Sequence, residues 1–280
     1  MNACLREGRG GSPTAVLEEA SLTERERCQV PELMGTSHAV FVSAEDRDSI
    51  RPLASLRFFT ARGELPGCGH GTVAALAFLA QSSRRDPYHV TLRVSARSFD
   101  GDVTRADRHV TATFDPGAVR LRAASGDERV AVLDALGCDP DVLVPGICVA
   151  SLGRPRLLVP LSTPTAVAGL RPDYDQLRDL CDRRGLLGCF VHSVPTAEGR
   201  LSARMFAPSI GVREDIANAN STACLAARLA HQNMTRIQVD MGDSLGSPAT
   251  IAATARQTRS GARIRVGGAA KVIQTLRPEA

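Results

Sequence analysis

The sequence predicts an α+β chain made of two similar halves. Three observations predict it: short strand-like runs outnumber helical stretches, one strand, polar-loop and helix unit occurs twice, and Pro- and Gly-rich breaks fall between the two occurrences. In the first half, residues 39–42, 55–59, 88–94 and 109–114 read as strands; in the second, 157–160, 189–194, 204–206 and 264–266 do. Helices are expected over 71–80, over 174–184 with Asp173 as cap, and over 221–231. The breaks Asp115-Pro116-Gly117 and Asp139-Pro140 put the crossover near 115–125, giving domains 1–120 and 121–267.

The whole chain sets the outer limits. Its 280 residues suffice for two domains, each with its own core, and 43% apolar with 23% charged residues is a globular composition. The apolar stretch 73–80 is too short to span a bilayer, and the first residues lack the features of a secretory signal. A cytoplasmic location is expected. The eight cysteines are scattered and read as reduced thiols. No two of them are spaced as in a structural zinc site and no HxxxH pair occurs, so no metal is expected. The net charge of +4 comes almost wholly from arginines spread along the chain, with 4% aromatics, which argues against a nucleic-acid surface.

The repeat carries the chemistry. Arg57-Phe58-Phe59-Thr60-Ala61 matches Arg204-Met205-Phe206-Ala207-Pro208; beyond it Glu64 and Glu214, Cys68 and Asn218, His70 and Asn220, Gly71 and Ser221, and Thr72 and Thr222 register at a constant offset of 150. Each copy leads through small residues into a helix start, whose free N–H groups and positive dipole end suit a carboxylate. Two such starts facing each other across a pseudo-two-fold axis would clamp an amino-acid-like anion. On the first side the titratable groups are Cys68 and His70. A cysteine at a helix start has a stabilised thiolate and fits a base, but it equally fits core packing. His70 fits proton transfer, substrate binding or a core hydrogen bond. On the second side stand Glu214 and Asp215, which fit either proton chemistry or simple complements of the helix dipole.

Taken together, several motifs resemble one family. Gly10-Gly11-Ser12-Pro13-Thr14-Ala15-Val16 resembles G-N-P-x-A-V, and the segment from Met34 through Ser37, His38 and Phe41-Val42 resembles N-x-S-E-x-x-F-V. Arg57 to Thr72 resembles R-x-F-T-P-x-x-E-L-P-F-A-G-H-P-T, and Arg204 to Asp215 resembles R-x-F-A-P-x-x-G-x-x-E-D. The family is the PhzF-like branch of the diaminopimelate-epimerase superfamily. The resemblance implies two pseudo-two-fold-related domains, each a mixed sheet rolled around a central helix, with strand 268–280 returning to the first domain. It also implies a homodimer and proton transfer at carbon without metal or organic cofactor.

Departures from the family pattern shape the expected site. His38 stands where the phenazine branch has its acid/base glutamate, and Cys68 resembles the first catalytic cysteine of diaminopimelate epimerase, while Asn218 falls where the second would be. Asparagine cannot exchange a proton at neutral pH, so a symmetric two-thiol racemase is disfavoured. The reading is a cofactor-independent isomerase that shifts a proton and double bond in a small unsaturated cyclic amino acid. By analogy it extends to natural-product pathways such as the alkylproline branch of lincosamide antibiotics. Catalysis falls to Cys68, His38, His70 and Asp215. Substrate binding falls to Ser37, Gly69, Gly71, Thr72, Asn218, Asn220 and Ser221, with backbone amides of Gly69, His70 and Ser221 holding a carboxylate. The rival readings are a two-base epimerase using Cys68 and Asp215, and a binding protein that kept the cleft without the chemistry.

Overall fold

The structure, a computed structural model, describes residues 1–45, 49–106, 109–258 and 261–275. It divides into two compact units, Met1–Asp115 with Gly267–Ala280, and Pro116–Val266. Among the described residues no helix is long and apolar enough to cross a membrane. None of the eight cysteines is in a disulfide.

The first unit runs β1 (Asn2–Leu5), β2 (Ser12–Glu18), α1 (Glu24–Leu33), β3 (His38–Glu45), β4 (Leu53–Thr60), β5 (Gly63–Leu65), α2 (Gly69–Gln81), β6 (Tyr88–Val94), β7 (Arg97–Arg105) and β8 (Val110–Phe114). β2 pairs parallel to β3 and β4 parallel to β6, while β1–β2, β3–β4, β4–β5, β6–β7 and β7–β8 are antiparallel. A parallel pair needs a crossover, and the helices α1 and α2 supply the two. Helix α2 is apolar on every side, and all but two of its side chains are buried. Its alanines let strands approach closely around it.

The second unit repeats the plan. It contains β9 (Arg120–Ala123), α3 (Gly126–Leu136), β10 (Cys148–Ser151), β11 (Pro155–Leu161), α4 (Pro164–Gly169), α5 (Tyr174–Arg184), β12 (Cys189–Ser193), β13 (Arg200–Ala207), β14 (Val212–Asp215), α6 (Ala219–Ala230), β15 (Arg236–Met241) and β16 (Ala249–Thr258). β11–β12 and β13–β15 are parallel, and β9–β10, β10–β11, β12–β13, β13–β14 and β15–β16 antiparallel. Hairpin β13–β14 followed by α6 therefore matches hairpin β4–β5 followed by α2. Val132, Leu136, Leu177 and Leu180 of α3 and α5 pack on Val149, Leu157, Val159 and Val191 of the sheet.

The final strand, β17 (Gly261–Lys271), passes its second half to the first unit, where Ala270 and Lys271 pair with Ala3 and Asn2 of β1 and the strand also pairs with β8. A Cβ at Gly267 would lie 1.9 Å from the Ala112 carbonyl oxygen, so this crossing requires glycine. The strand expected over 268–280 ends at Lys271, and residues 276–280 lie outside the described residues.

Helices α1 and α3 have no counterpart among the helices expected from the sequence. Both begin with reciprocal capping boxes, Thr23 with Glu26 and Ser125 with Glu128. Such S/T-x-x-E spacings are visible in the sequence.

One ion pair recurs in both units. Arg57 donates from Nε to Glu64 Oε1 (2.9 Å) and from Nη2 to Oε2 (2.6 Å), and Arg204 holds Glu214 through the same atoms at 2.9 and 2.8 Å. Each fork ties the two strands of the hairpin ahead of a central helix, and each guanidinium lies over a phenylalanine, Phe59 or Phe206. The environments differ: the Arg204–Glu214 side chains are 11% and 5% exposed, against 35% and 37% for Arg57–Glu64. Removing one partner of a buried pair strands the other charge, at about 3–5 kcal/mol, whereas an exposed pair contributes about 0–1 kcal/mol. Arg204→Met should therefore lower the urea midpoint far more than Arg57→Met. Equal shifts would show that the burial difference does not matter.

Candidate active site

The sequence-predicted groups of the first unit come together. His38 opens β3 with its backbone in register with Thr14 of β2, and its side chain is buried. Cys68 stands at the cap position of α2 in an extended conformation, and no side chain caps the helix there. The Thr72 hydroxyl donates to the Cys68 carbonyl oxygen at 2.8 Å, fixing the turn that presents the thiol. Cys68 Sγ then lies 3.3 Å from His70 Nε2. The rings of His38 and His70 meet edge to face with centroids 4.5 Å apart, and Ser37 Oγ is 2.8 Å from His38 Nδ1. One nitrogen of each histidine and the Cys68 sulfur all lie within 4.8 Å of one another.

Two residues read as substrate contacts also do structural work here. A Cβ at Gly71 would sit 3.0 Å from the Phe58 ring and 3.1 Å from Cys68 Sγ, so glycine makes room for the thiol above the helix. Thr72 is buried and committed to the Cys68 carbonyl. Gly69, the first residue of α2, is buried as well.

Burial lowers the basicity of His38 to a pKa of about 3, with the neighbouring His70 as a second, smaller cause. A charged imidazolium is costly where water is excluded. At neutral pH the ring is uncharged, with a pKa well below the ordinary imidazole value of about 6.5. Cys68 and His70 place a thiol and an imidazole within hydrogen-bond reach of each other.

The second unit uses its matching residues differently. Asn218 caps α6: its Oδ1 accepts from the Ser221 amide at 2.9 Å, while its Nδ2 donates to Asp215 Oδ2 at 3.0 Å. The Ser221 N–H, expected to hold a carboxylate, is thus already engaged by its own helix cap. Asp215 also accepts from the Ala217 amide at 3.4 Å; within its unit it steadies the cap, and none of these bonds orients a histidine. Asn220 is half-buried on the first turn of α6. Glu214 is taken up by Arg204 and by the Ser244 hydroxyl.

Sequence reasoning missed Arg156 and His192. Arg156, 1% exposed, donates from Nη1 to Ser221 Oγ at 3.1 Å and from Nη2 to the carbonyls of Leu152 and Arg154 at 3.0 and 2.9 Å. It lies on β11, where every residue from Arg156 to Leu161 is buried, so no alternation in the sequence marks it. His192 is buried on β12 beside the Ser193 carbonyl, and burial pushes its pKa down to about 4.

Comparison with known proteins agrees with this architecture. The chain is 27% identical to an uncharacterized isomerase, YddE, of Escherichia coli O157:H7, over 95% of this chain and 92% of that protein. It is also 27% identical to the trans-2,3-dihydro-3-hydroxyanthranilate isomerase of Pseudomonas aeruginosa, over 88% and 85%. The crystal structure of a Bacillus anthracis PhzF-family phenazine biosynthesis protein superposes with a TM-score of 0.78 at 17% identity, covering 95% of this chain and 93% of that one, and so shares its fold. The model of the phenazine biosynthesis-like protein family, PhzC-PhzF, matches residues 5–275, and the chain belongs to that family.

Proposed function

We propose that this protein is an isomerase that moves one proton, and with it a double bond, within a small unsaturated cyclic amino acid. The observation that carries the reading is the buried Cys68–His70 pair at 3.3 Å. His70 takes the thiol proton across the 3.3 Å contact. The thiolate removes a proton from an allylic carbon near the substrate carboxylate. Electrons from that C–H bond form the new double bond, the old one opens, and the Cys68–His70 pair, whose proton exchanges with solvent, delivers a proton to the distal carbon. Atoms and charge balance with no other reactant. His38 stays neutral and serves as a hydrogen-bonding wall beside the pair. The names of the relatives, which are isomerases, support the reaction class.

A wash-in experiment tests this. The protein is incubated in deuterium oxide with trans-2,3-dihydro-3-hydroxyanthranilate, the compound in the relative's name, and with unsaturated five-membered cyclic amino acids. Displacement of the double bond, with deuterium at the distal carbon, is expected for one of them. Cys68→Ala and His70→Asn should each slow that reaction by about 10²–10⁴-fold, the usual contribution of a positioned acid or base. Wild-type turnover in Cys68→Ala would remove the thiol from the mechanism. Deuterium at the α carbon with inverted configuration and an unmoved double bond would identify an epimerase instead.

The two neutral histidines also set a pH dependence of stability. Their folded pKa values, about 3 for His38 and about 4 for His192, lie below the ordinary value. Below about pH 6.5 the unfolded chain takes up protons that the folded chain refuses, so stability is full above that pH and falls as the solution is acidified. Between pH 7 and pH 5, each should remove about 1–2 kcal/mol of unfolding free energy. Urea unfolding at those two pH values measures the loss; unchanged stability would mean that both rings take up protons in the fold as readily as in the unfolded chain.

A further inference from the structure

We propose that His38, Cys68 and His70 form a binding site for a divalent ion of the zinc class, supplying three of its ligands. The three donors are two imidazoles and a thiol, the set that a borderline-soft ion prefers over the oxygen ligands taken by magnesium or calcium. Their ligand atoms lie within 4.8 Å of one another, and Sγ and Nε2 of the Cys68–His70 pair are already at 3.3 Å. A tetrahedral zinc with bonds of about 2.0–2.3 Å needs its ligand atoms roughly 3.3–3.6 Å apart. Small side-chain rotations bridge the difference.

A supporting residue is in place as well. Ser37 Oγ stands 2.8 Å from His38 Nδ1, so the hydroxyl can accept from that nitrogen and leave Nε2 as the ligand. Metal-bound histidines depend on such partners to fix the ring and its tautomer. All three ligands are buried, which distinguishes the cluster from solvated surface groups. The spacing rule missed it because one ligand comes from the start of β3 and two from the start of α2.

Binding releases the Cys68 thiol proton to solvent and commits the sulfur lone pair to the ion. A metallated thiolate cannot accept a proton from carbon, so the loaded protein should lose isomerase turnover. That consequence alone rests on the function proposed above.

The test is titration of the chelator-treated full-length protein with Co²⁺, read by absorbance. Expected are saturation at one ion per chain, the visible bands of a four-coordinate ion and a thiolate-to-cobalt charge-transfer band, all displaced by zinc. Cys68→Ser, which keeps the other seven cysteines, should abolish the charge-transfer band. Ser37→Ala should weaken binding by about 10–100-fold, the usual effect of removing an outer partner of a ligand. If Cys68→Ser does not fold, by circular dichroism, His38→Asn decides, and it too should lose tight binding. A charge-transfer band that is absent from the wild type, survives in folded Cys68→Ser or is undiminished in His38→Asn would overturn the site. The titration uses no substrate, so its failure leaves the isomerase reading standing. Failure of the wash-in experiment leaves the metal site standing.

Discussion

Two parallel N–H···O bonds from Arg204 to Glu214, and the same two from Arg57 to Glu64, fix the hairpin that precedes each central helix. The helix start lies only a few residues beyond the glutamate, so the fork sets where residues 68 and 218 emerge. A planar guanidinium stacked on Phe59 or Phe206 cannot be replaced by a flexible ammonium without losing that geometry. From there the threonine hydroxyls complete the turn identically, Thr72 to the Cys68 carbonyl and Thr222 to the Asn218 carbonyl. The same local device is built twice, and each central helix inherits its position from it.

Much of this is legible in the sequence because it is local. The constant offset of 150 pairs Glu64 with Glu214 and Thr72 with Thr222, and each pair performs the same bond in its own unit. The strand runs could be read because they are short, apolar or alternating, and bounded by turn residues, as β6 and the continuously buried β12 show. Helices α1 and α3 went unread although Thr23-x-x-Glu26 and Ser125-x-x-Glu128 are capping boxes, because the apolar stripes behind them are weak. What could not be read is tertiary: that Arg156 is buried against Ser221, and that burial strips His38 of its ordinary basicity. Each depends on what packs around the residue, which spacing does not encode.

The two helix starts also differ in how they satisfy themselves. Asn218 turns its amide inward, capping α6 with Oδ1 and tying Asp215 with Nδ2, so that start is closed by its own side chain. Cys68 makes no such cap, and its thiol projects over Gly71 toward His70. Exchanging asparagine for cysteine at matched positions therefore changes more than acidity. It decides whether a helix start spends its side chain on its own amides or leaves a reactive atom above them.

Around that atom the cluster holds little positive charge. His38 is neutral because burial and His70 both oppose its protonation, so a proton leaving the Cys68 sulfur has His70 as its nearby acceptor. A neutral imidazole keeps a ring lone pair, and a thiolate keeps its own. Such a group of lone pairs is selective for a Lewis acid rather than for one particular Lewis acid. With a proton shared between sulfur and nitrogen, the cluster would serve the proposed transfer at carbon. With a zinc-class ion in the proton's place, the same three atoms would be the ligands of the proposed metal site. The two occupants are mutually exclusive because both need the sulfur, and burial, by keeping imidazolium out, favours the conditions for each.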